Sequence, residues 1–209
     1  MTERIRKTLG ASLTFGKVRL HLSALVLAAF FFVGGNGEVF LALVLSAALH
    51  EVGHFIAMRA FGLRAARIDI TALGAAICLS GMSGYRRDIA VAAAGPAASA
   101  LAFATSFAAY AHGGHGAFLS LFCGVNLIIC VLNLVPVPPL DGGVILSSAL
   151  YLKYDAAHAG ELTFYISLAS AVTLFVLGGL LFYYTGSNVS LMLIALFLLF
   201  CVTRLEKLV

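Results

Sequence analysis

The chain has 209 residues, of which 62% are hydrophobic and only 11% charged, with no tryptophan and a formal net charge of +4. Its mean hydropathy is +1.05. A soluble domain carries charge on roughly a quarter of its residues, so a soluble globular protein is excluded and a polytopic membrane protein is expected, with residues 1–209 as a single transmembrane domain. The positive balance does not indicate nucleic acid, because the basic residues are distributed as a membrane topology would place them.

Residues 1–19 contain Arg4, Arg6, Lys7, Lys17 and Arg19 and read as a cytoplasmic or interfacial lead. No small-residue cleavage site follows, so the next apolar run reads as an uncleaved first helix and not as a signal peptide. Span one is expected over 20–33, short for about 30 Å of hydrocarbon, and ends at the Gly34-Gly35-Asn36-Gly37 turn. Span two covers 39–61. Residues 62–88 then change character. The stretch 67–73 alternates polar and apolar residues, Gly74 permits a bend, and 75–80 could form a second strand. This predicts a small β-hairpin at the membrane surface between helices two and three.

Span three is expected over 89–110. It opens with the small-residue string 92–100, which lets helices approach closely, and Pro96 would kink it or sit near its start. A His112-Gly113-Gly114-His115 loop leads to span four, over 117–135. Residues 144–152 read as a short surface helix, 162–184 as span five, 185–188 as a turn and 189–202 as span six. The fold class is therefore all-α with about six transmembrane helices. Cys78, Cys123, Cys130 and Cys201 form no C-x-x-C pair and read as small buried apolar residues.

Six spans put both termini on one side, and the basic residues test that count. The lead holds five Lys/Arg, the 59–88 connection five, the 151–160 connection one and the tail two, which accounts for all 13. The three connections on the opposite side hold none. By the positive-inside rule the termini, the hairpin and the region of Asp141 lie on or near the cytoplasmic face.

Chemistry concentrates in span two, where His50-Glu51-Val52-Gly53-His54 reads H-E-x-x-H. Histidines four residues apart lie one helical turn apart on one face and can converge on one metal ion. Glu51 beside them can act as a base toward a water. Ionisable side chains inside a span are costly and mark function. A catalytic zinc keeps three protein ligands and one open position. Asp141 is the best placed third ligand, because it lies where span four meets the cytoplasmic side, at a depth similar to the histidines. Asp69, Asp88, Asp155 and Glu161 fall in connections, Glu3 and Glu206 are terminal, and Glu38 is on the far side. Pro136, Pro138 and Pro139 break the helix before Asp141, while Gly142-Gly143 permits backbone conformations closed to other residues. Broken helix at membrane depth is tolerated where it is buried or lines a cavity. His112 with His115 lacks a third ligand and reads as a loop; Asp155 and His158 read as solvated.

These two stretches, His50–His54 and Asn133-Leu134-Val135-Pro136-Val137-Pro138-Pro139-Leu140-Asp141-Gly142-Gly143, together resemble the site-2 protease family of M50-type intramembrane zinc metalloproteases. Ala94-Gly95-Pro96 is similar to a further family motif, A-G-P followed by two residues and Asn, although Ser99 stands where that Asn would be. Leu73-Gly74-Ala75 resembles a position usually written with two glycines. The resemblance covers about 40–145.

It implies one Zn2+ per chain held by His50, His54 and Asp141, with Glu51 activating water and passing the proton to the leaving amine. Asn133 would hold the substrate backbone or the oxyanion. It implies a membrane protein or membrane-associated peptide as substrate, cut near the cytoplasmic face of the cell membrane, and the hairpin strand as a candidate edge for that substrate. The compact chain, with six spans and a basic leader, is most similar to the bacterial sporulation-type subgroup, which releases a transcription factor. It has no room for a PDZ domain or a CBS pair. An inhibitory membrane partner is a candidate regulator. A proteolytically silent relative that binds or shields membrane partners is the alternative, opposed by the intact Glu51. A metal transporter is opposed by the scarcity of ionisable residues in the other spans.

Overall fold

The computed structural model of the chain describes residues 12–15, 18–21, 37–63, 65–71, 74–79, 84–114 and 116–205. In chain order the elements are β1 (Ser12–Phe15), β2 (Val18–His21), α1 (Gly37–Ala60), β3 (Ala65–Thr71), β4 (Gly74–Leu79), α2 (Tyr85–Ala111), α3 (Ala117–Asn133), α4 (Asp141–Tyr151), α5 (Ala156–Thr185) and α6 (Ser190–Leu205). Among the described residues there are thus six helices. Three of them, α1, α2 and α5, are long and apolar enough to cross a membrane; α3 and residues 190–203 of α6 are shorter apolar helices. Chain contacts divide the molecule into two compact units, Met1–Ser83 with Ala97–Ile129, and Gly84–Pro96 with Cys130–Val209.

In the first unit the strands form one sheet in the order β1-β2-β3-β4. β1 and β2 pair antiparallel, as do β3 and β4, while β2 and β3 run parallel with Arg19 opposite Asp69. The expected start of span one at residue 20 is corrected here, because Leu20 and His21 belong to β2. Val18-Arg19-Leu20-His21 alternates apolar and polar residues, the period of a strand, and a hydropathy run alone does not register that alternation. Residues 22–33, the remainder of the expected span one, lie outside the described residues, as does the turn at 34–36.

α1 places Glu38 in its first turn and Arg59 in its last, each matching the helix dipole. It ends in a Schellman cap. Leu63 N–H donates to Met58 O (2.9 Å) and Gly62 N–H to Arg59 O (3.0 Å), with Gly62 at φ 68°, where a side chain would be strained. Its buried residues are Ala42, Ser46, His50, Gly53, His54 and Met58, which repeat every three or four positions along one face. Leu41, Val44, Leu45, Leu49, Val52, Phe55 and Ile56 are 41% to 62% exposed. The helix hides its polar residues and shows its apolar ones, the reverse of a soluble helix and the arrangement a lipid surround favours.

Two buried polar bonds tie α1 to its neighbours within this unit. Asn126 of α3 donates from Nδ2 to Ser46 Oγ at 2.8 Å, and His50 Nδ1 meets Ser99 Oγ of α2 at 3.0 Å.

In the second unit α5 repeats the inverted pattern. Its buried residues are Ala159, Gly160, Thr163, Ser167, Ala171 and Gly178, small side chains that allow close helix packing. Gly178 meets the backbone of Met192 on α6 so closely that a Cβ there would lie 2.7 Å from the Met192 nitrogen. Ala171, Leu198 and Val202 of this helix pair form a core cluster with Val137.

α2 begins at Tyr85, four residues before the expected start at 89, and carries Arg86, Arg87 and Asp88 in its first turn. Pro96 is inside this helix, well past its first turn.

Candidate metal centre

His50 and His54 stand on the buried face of α1, 5% and 8% exposed. Four residues of helix bring the rings into edge contact, with centroids 4.9 Å apart and planes at 80°. His54 Nε2 lies 3.2 Å from His50 Nε2. Two imidazole nitrogens bound at about 2.0–2.1 Å to one tetrahedral zinc would be about 3.3–3.4 Å apart, so the pair matches the bite of a single ion. The other nitrogen of His50 is engaged by the fully buried Ser99 hydroxyl, which leaves Nε2 to face its neighbour.

Asp141 is held by a different construction. Asn133 is the last residue of α3 and Asp141 the first of α4. The proline-rich segment between them is anchored by Val137, fully buried against Ala171, Leu198 and Val202. Ser167 Oγ donates to Pro136 O at 2.9 Å, and Leu140 N–H to Val137 O at 2.9 Å.

The sequence led us to expect that Gly142 and Gly143 permit unusual dihedrals, and this is corrected. Neither has a positive φ. Their need is steric, since a Cβ on Gly142 would collide with the carbonyl oxygens of Leu134 and Val135, and one on Gly143 with the nitrogen of Pro138. The start of α4 is pressed against the segment that leaves α3, and this fixes Asp141 relative to Asn133. The expected surface helix at 144–152 accordingly begins earlier, at Asp141 itself.

His50 and His54 belong to the first unit and Asp141 to the second. Two imidazoles and a carboxylate suit zinc. Glu51 and Asn133 are both half-buried. His158 is engaged by Asp155 (Nδ1 to Oδ1, 2.6 Å) on an exposed surface. Glu161 is exposed on α5, and His115 lies outside the described residues.

Sequence reasoning missed two contributors, Ser99 and the Ser46–Asn126 pair. A signal existed for Ser46, which precedes His50 by one helical turn in an otherwise apolar run.

An H-E-x-x-H helix with an inverted membrane pattern and a distal aspartate define the class, a helical membrane protein with a candidate zinc site. The fold matches that of a site-2 protease from Methanocaldococcus jannaschii, with a TM-score of 0.69 and 21% identity over 95% of this chain and 96% of that one. Residues 106–177 match peptidase family M50. Stage IV sporulation protein FB of Bacillus subtilis is 30% identical over 147 residues, 68% of this chain and 51% of that protein. The putative zinc metalloprotease Rip3 of Mycobacterium tuberculosis is 29% identical over 168 residues, 72% of this chain and 42% of that protein. The chain thus spans about half the length of the curated relatives it matches. It is similar to peptidase family M50 over residues 106–177 and shares the fold of a site-2 protease.

Proposed function

We propose that the chain is a zinc-dependent intramembrane endopeptidase that cleaves a transmembrane or membrane-associated substrate near the cytoplasmic face. The observation that carries this reading is the buried His50–His54 pair of the H-E-x-x-H helix, with Nε2 atoms 3.2 Å apart as for two ligands of one ion. His50 and His54 come from a helix with exposed apolar faces and buried histidines.

In this reading His50, His54 and Asp141 hold one zinc per chain. Bound zinc supplies Lewis-acid polarisation of the scissile carbonyl and lowers the pKa of water to about 7. Glu51 takes a proton from the attacking water and delivers it to the leaving amine nitrogen. Asn133 offers its amide to the substrate backbone, replacing hydrogen bonds that an unwound substrate helix loses. In this reading the antiparallel pair β3–β4 lies at the membrane surface and β4 offers an edge on which an extended substrate can pair.

The finer reading follows the charge map. It has six spans, both termini cytoplasmic, a substrate whose cleavage releases a transcription factor, and an inhibitory membrane partner. Its sporulation-type context is supported by the similarity to stage IV sporulation protein FB. A silent relative that only binds membrane partners is disfavoured by the intact Glu51 in its H-E-x-x-H setting.

Zinc analysis of the purified chain tests this. Glu51→Gln is expected to keep stoichiometric zinc and to lose cleavage of a membrane substrate, whereas His54→Ala and Asp141→Ala lose most zinc affinity. Full proteolysis by Glu51→Gln would sink the protease reading, and stoichiometric zinc in Asp141→Ala would remove Asp141 from the site.

A further inference from the structure

Resting on the zinc reading above, we infer that Ser99 is a positioning residue for the metal centre: its hydroxyl holds the His50 ring through Nδ1 and so commits Nε2 to the metal. Ser99 Oγ lies 3.0 Å from His50 Nδ1, and both residues are buried, Ser99 completely. A neutral imidazole carries one N–H and one lone pair, and the partner of one nitrogen sets the role of the other. A hydrogen bond given by Nδ1–H to Ser99 Oγ leaves the lone pair on Nε2, which is the atom that approaches His54 Nε2. The bond also stops rotation about the ring's bond to Cβ, so that the two Nε2 atoms stay 3.2 Å apart before any ion arrives.

The small-residue string of α2 makes this contact possible. Ser99 is completely buried on that helix, and short side chains let its part of α2 approach α1 closely enough for a one-carbon hydroxyl to reach the ring. Ser99 stands where a similar family motif carries asparagine.

Removal of an outer partner of a metal-binding histidine costs about 10–100-fold in metal affinity. The experiment is competition for zinc between the full-length chain in detergent and a chromogenic chelator, with the absorption spectrum of the cobalt-loaded chain as a second readout. Ser99→Ala is expected to bind zinc about 10–100-fold more weakly and to alter the cobalt spectrum. Ser99→Thr, which keeps the hydroxyl, is expected to stay within about threefold.

Ser106→Ala is the matched control. That hydroxyl is also buried on α2, but it donates to the carbonyl of Ala102 in its own helix at 2.7 Å, so its loss should leave zinc affinity unchanged. Thermal unfolding of the three variants separates loss of the ligand's support from loss of the fold. Zinc affinity of Ser99→Ala within twofold of wild type overturns the inference, as does an equal loss in Ser106→Ala. A wild-type chain that takes up no zinc overturns the metalloprotease reading and this one together, so the two failures are distinct.

Discussion

A methyl group at residue 142 has nowhere to go. The obstacles around Gly142 are the backbone carbonyls of Leu134 and Val135, which cannot swing aside as a side chain can. Gly142→Ala must therefore push the start of α4 away from the segment leaving α3, and Asp141, next in the chain, moves with it. Overpacking of this kind costs about 1–3 kcal/mol. The expected outcome is a lower unfolding temperature together with weaker zinc binding, read by thermal unfolding in detergent and chelator competition. Gly179→Ala supplies the contrast, because open space surrounds its Cβ position on α5, and alanine is the better helix former there. A Gly142→Ala chain that unfolds and binds zinc like wild type would remove the steric account. The need for small residues beside Asp141 was legible in the sequence, but its cause was not. A Gly-Gly pair reads equally well as dihedral freedom or as close approach, and only the neighbouring carbonyls of Leu134 and Val135 decide between them.

Among the elements, α1 is organised by its buried polar face. Ser46, His50 and His54 succeed one another at intervals of four, so each occupies the same side one turn further on. Ser46 is bonded to Asn126, whose Nδ2 also donates to Phe122 O at 2.8 Å. That second bond fixes the amide orientation, because the flipped group would set two acceptor oxygens against each other. Asn126→Ala and Ser46→Ala are each expected to destabilise the chain. Their double-mutant cycle should yield a coupling of about 0.6 kcal/mol, the average for hydrogen bonds between membrane helices, and no more than about 1.7 kcal/mol, measured by reversible unfolding in detergent or bicelles. Strict additivity of the two substitutions would show that the bond contributes nothing.

The existence of these helices was legible, since long apolar runs announce them, and the H-E-x-x-H spacing places two side chains by geometry alone. Asp141 was a candidate on topology alone. The partners of α1 were not. His50 and Ser99 are 49 residues apart and Ser46 and Asn126 are 80, and no local period encodes which distant serine or asparagine meets a given helix face. The parallel pairing of β2 with β3 was hidden for the same reason. It joins the basic lead to a segment beyond the first described helix, and β2 is only four residues long.

For the molecule as a whole, charge and exposure bear on the same question from different directions. Most of the large side chains exposed on α1 and α5 are apolar, which a protein in water avoids and lipid tails accommodate. The 13 basic residues fall in the lead, the 59–88 and 151–160 connections and the tail. Each of these segments is cytoplasmic if six spans cross the bilayer and basic loops stay inside. α1 would then enter at Glu38 from the outer side and leave at Arg59, with His50 and His54 in its inner half. The candidate zinc site would lie nearer the cytoplasm than the outer face.

Single cysteines in a cysteine-free background make this testable in intact cells with a membrane-impermeant thiol reagent. Cysteine at 38 or at 188 should label from outside. Cysteine at 87, 153 or 204 should label only after the membrane is opened. Asn188 is a sensitive position, because it lies in the exposed turn between α5 and α6, two helices that pack closely along their length and must cross in opposite directions if each spans the bilayer. Labelling at 153 and 188 from the same side would break that hairpin as a pair of spans. It would leave the tail outside and require the charge map to be redrawn.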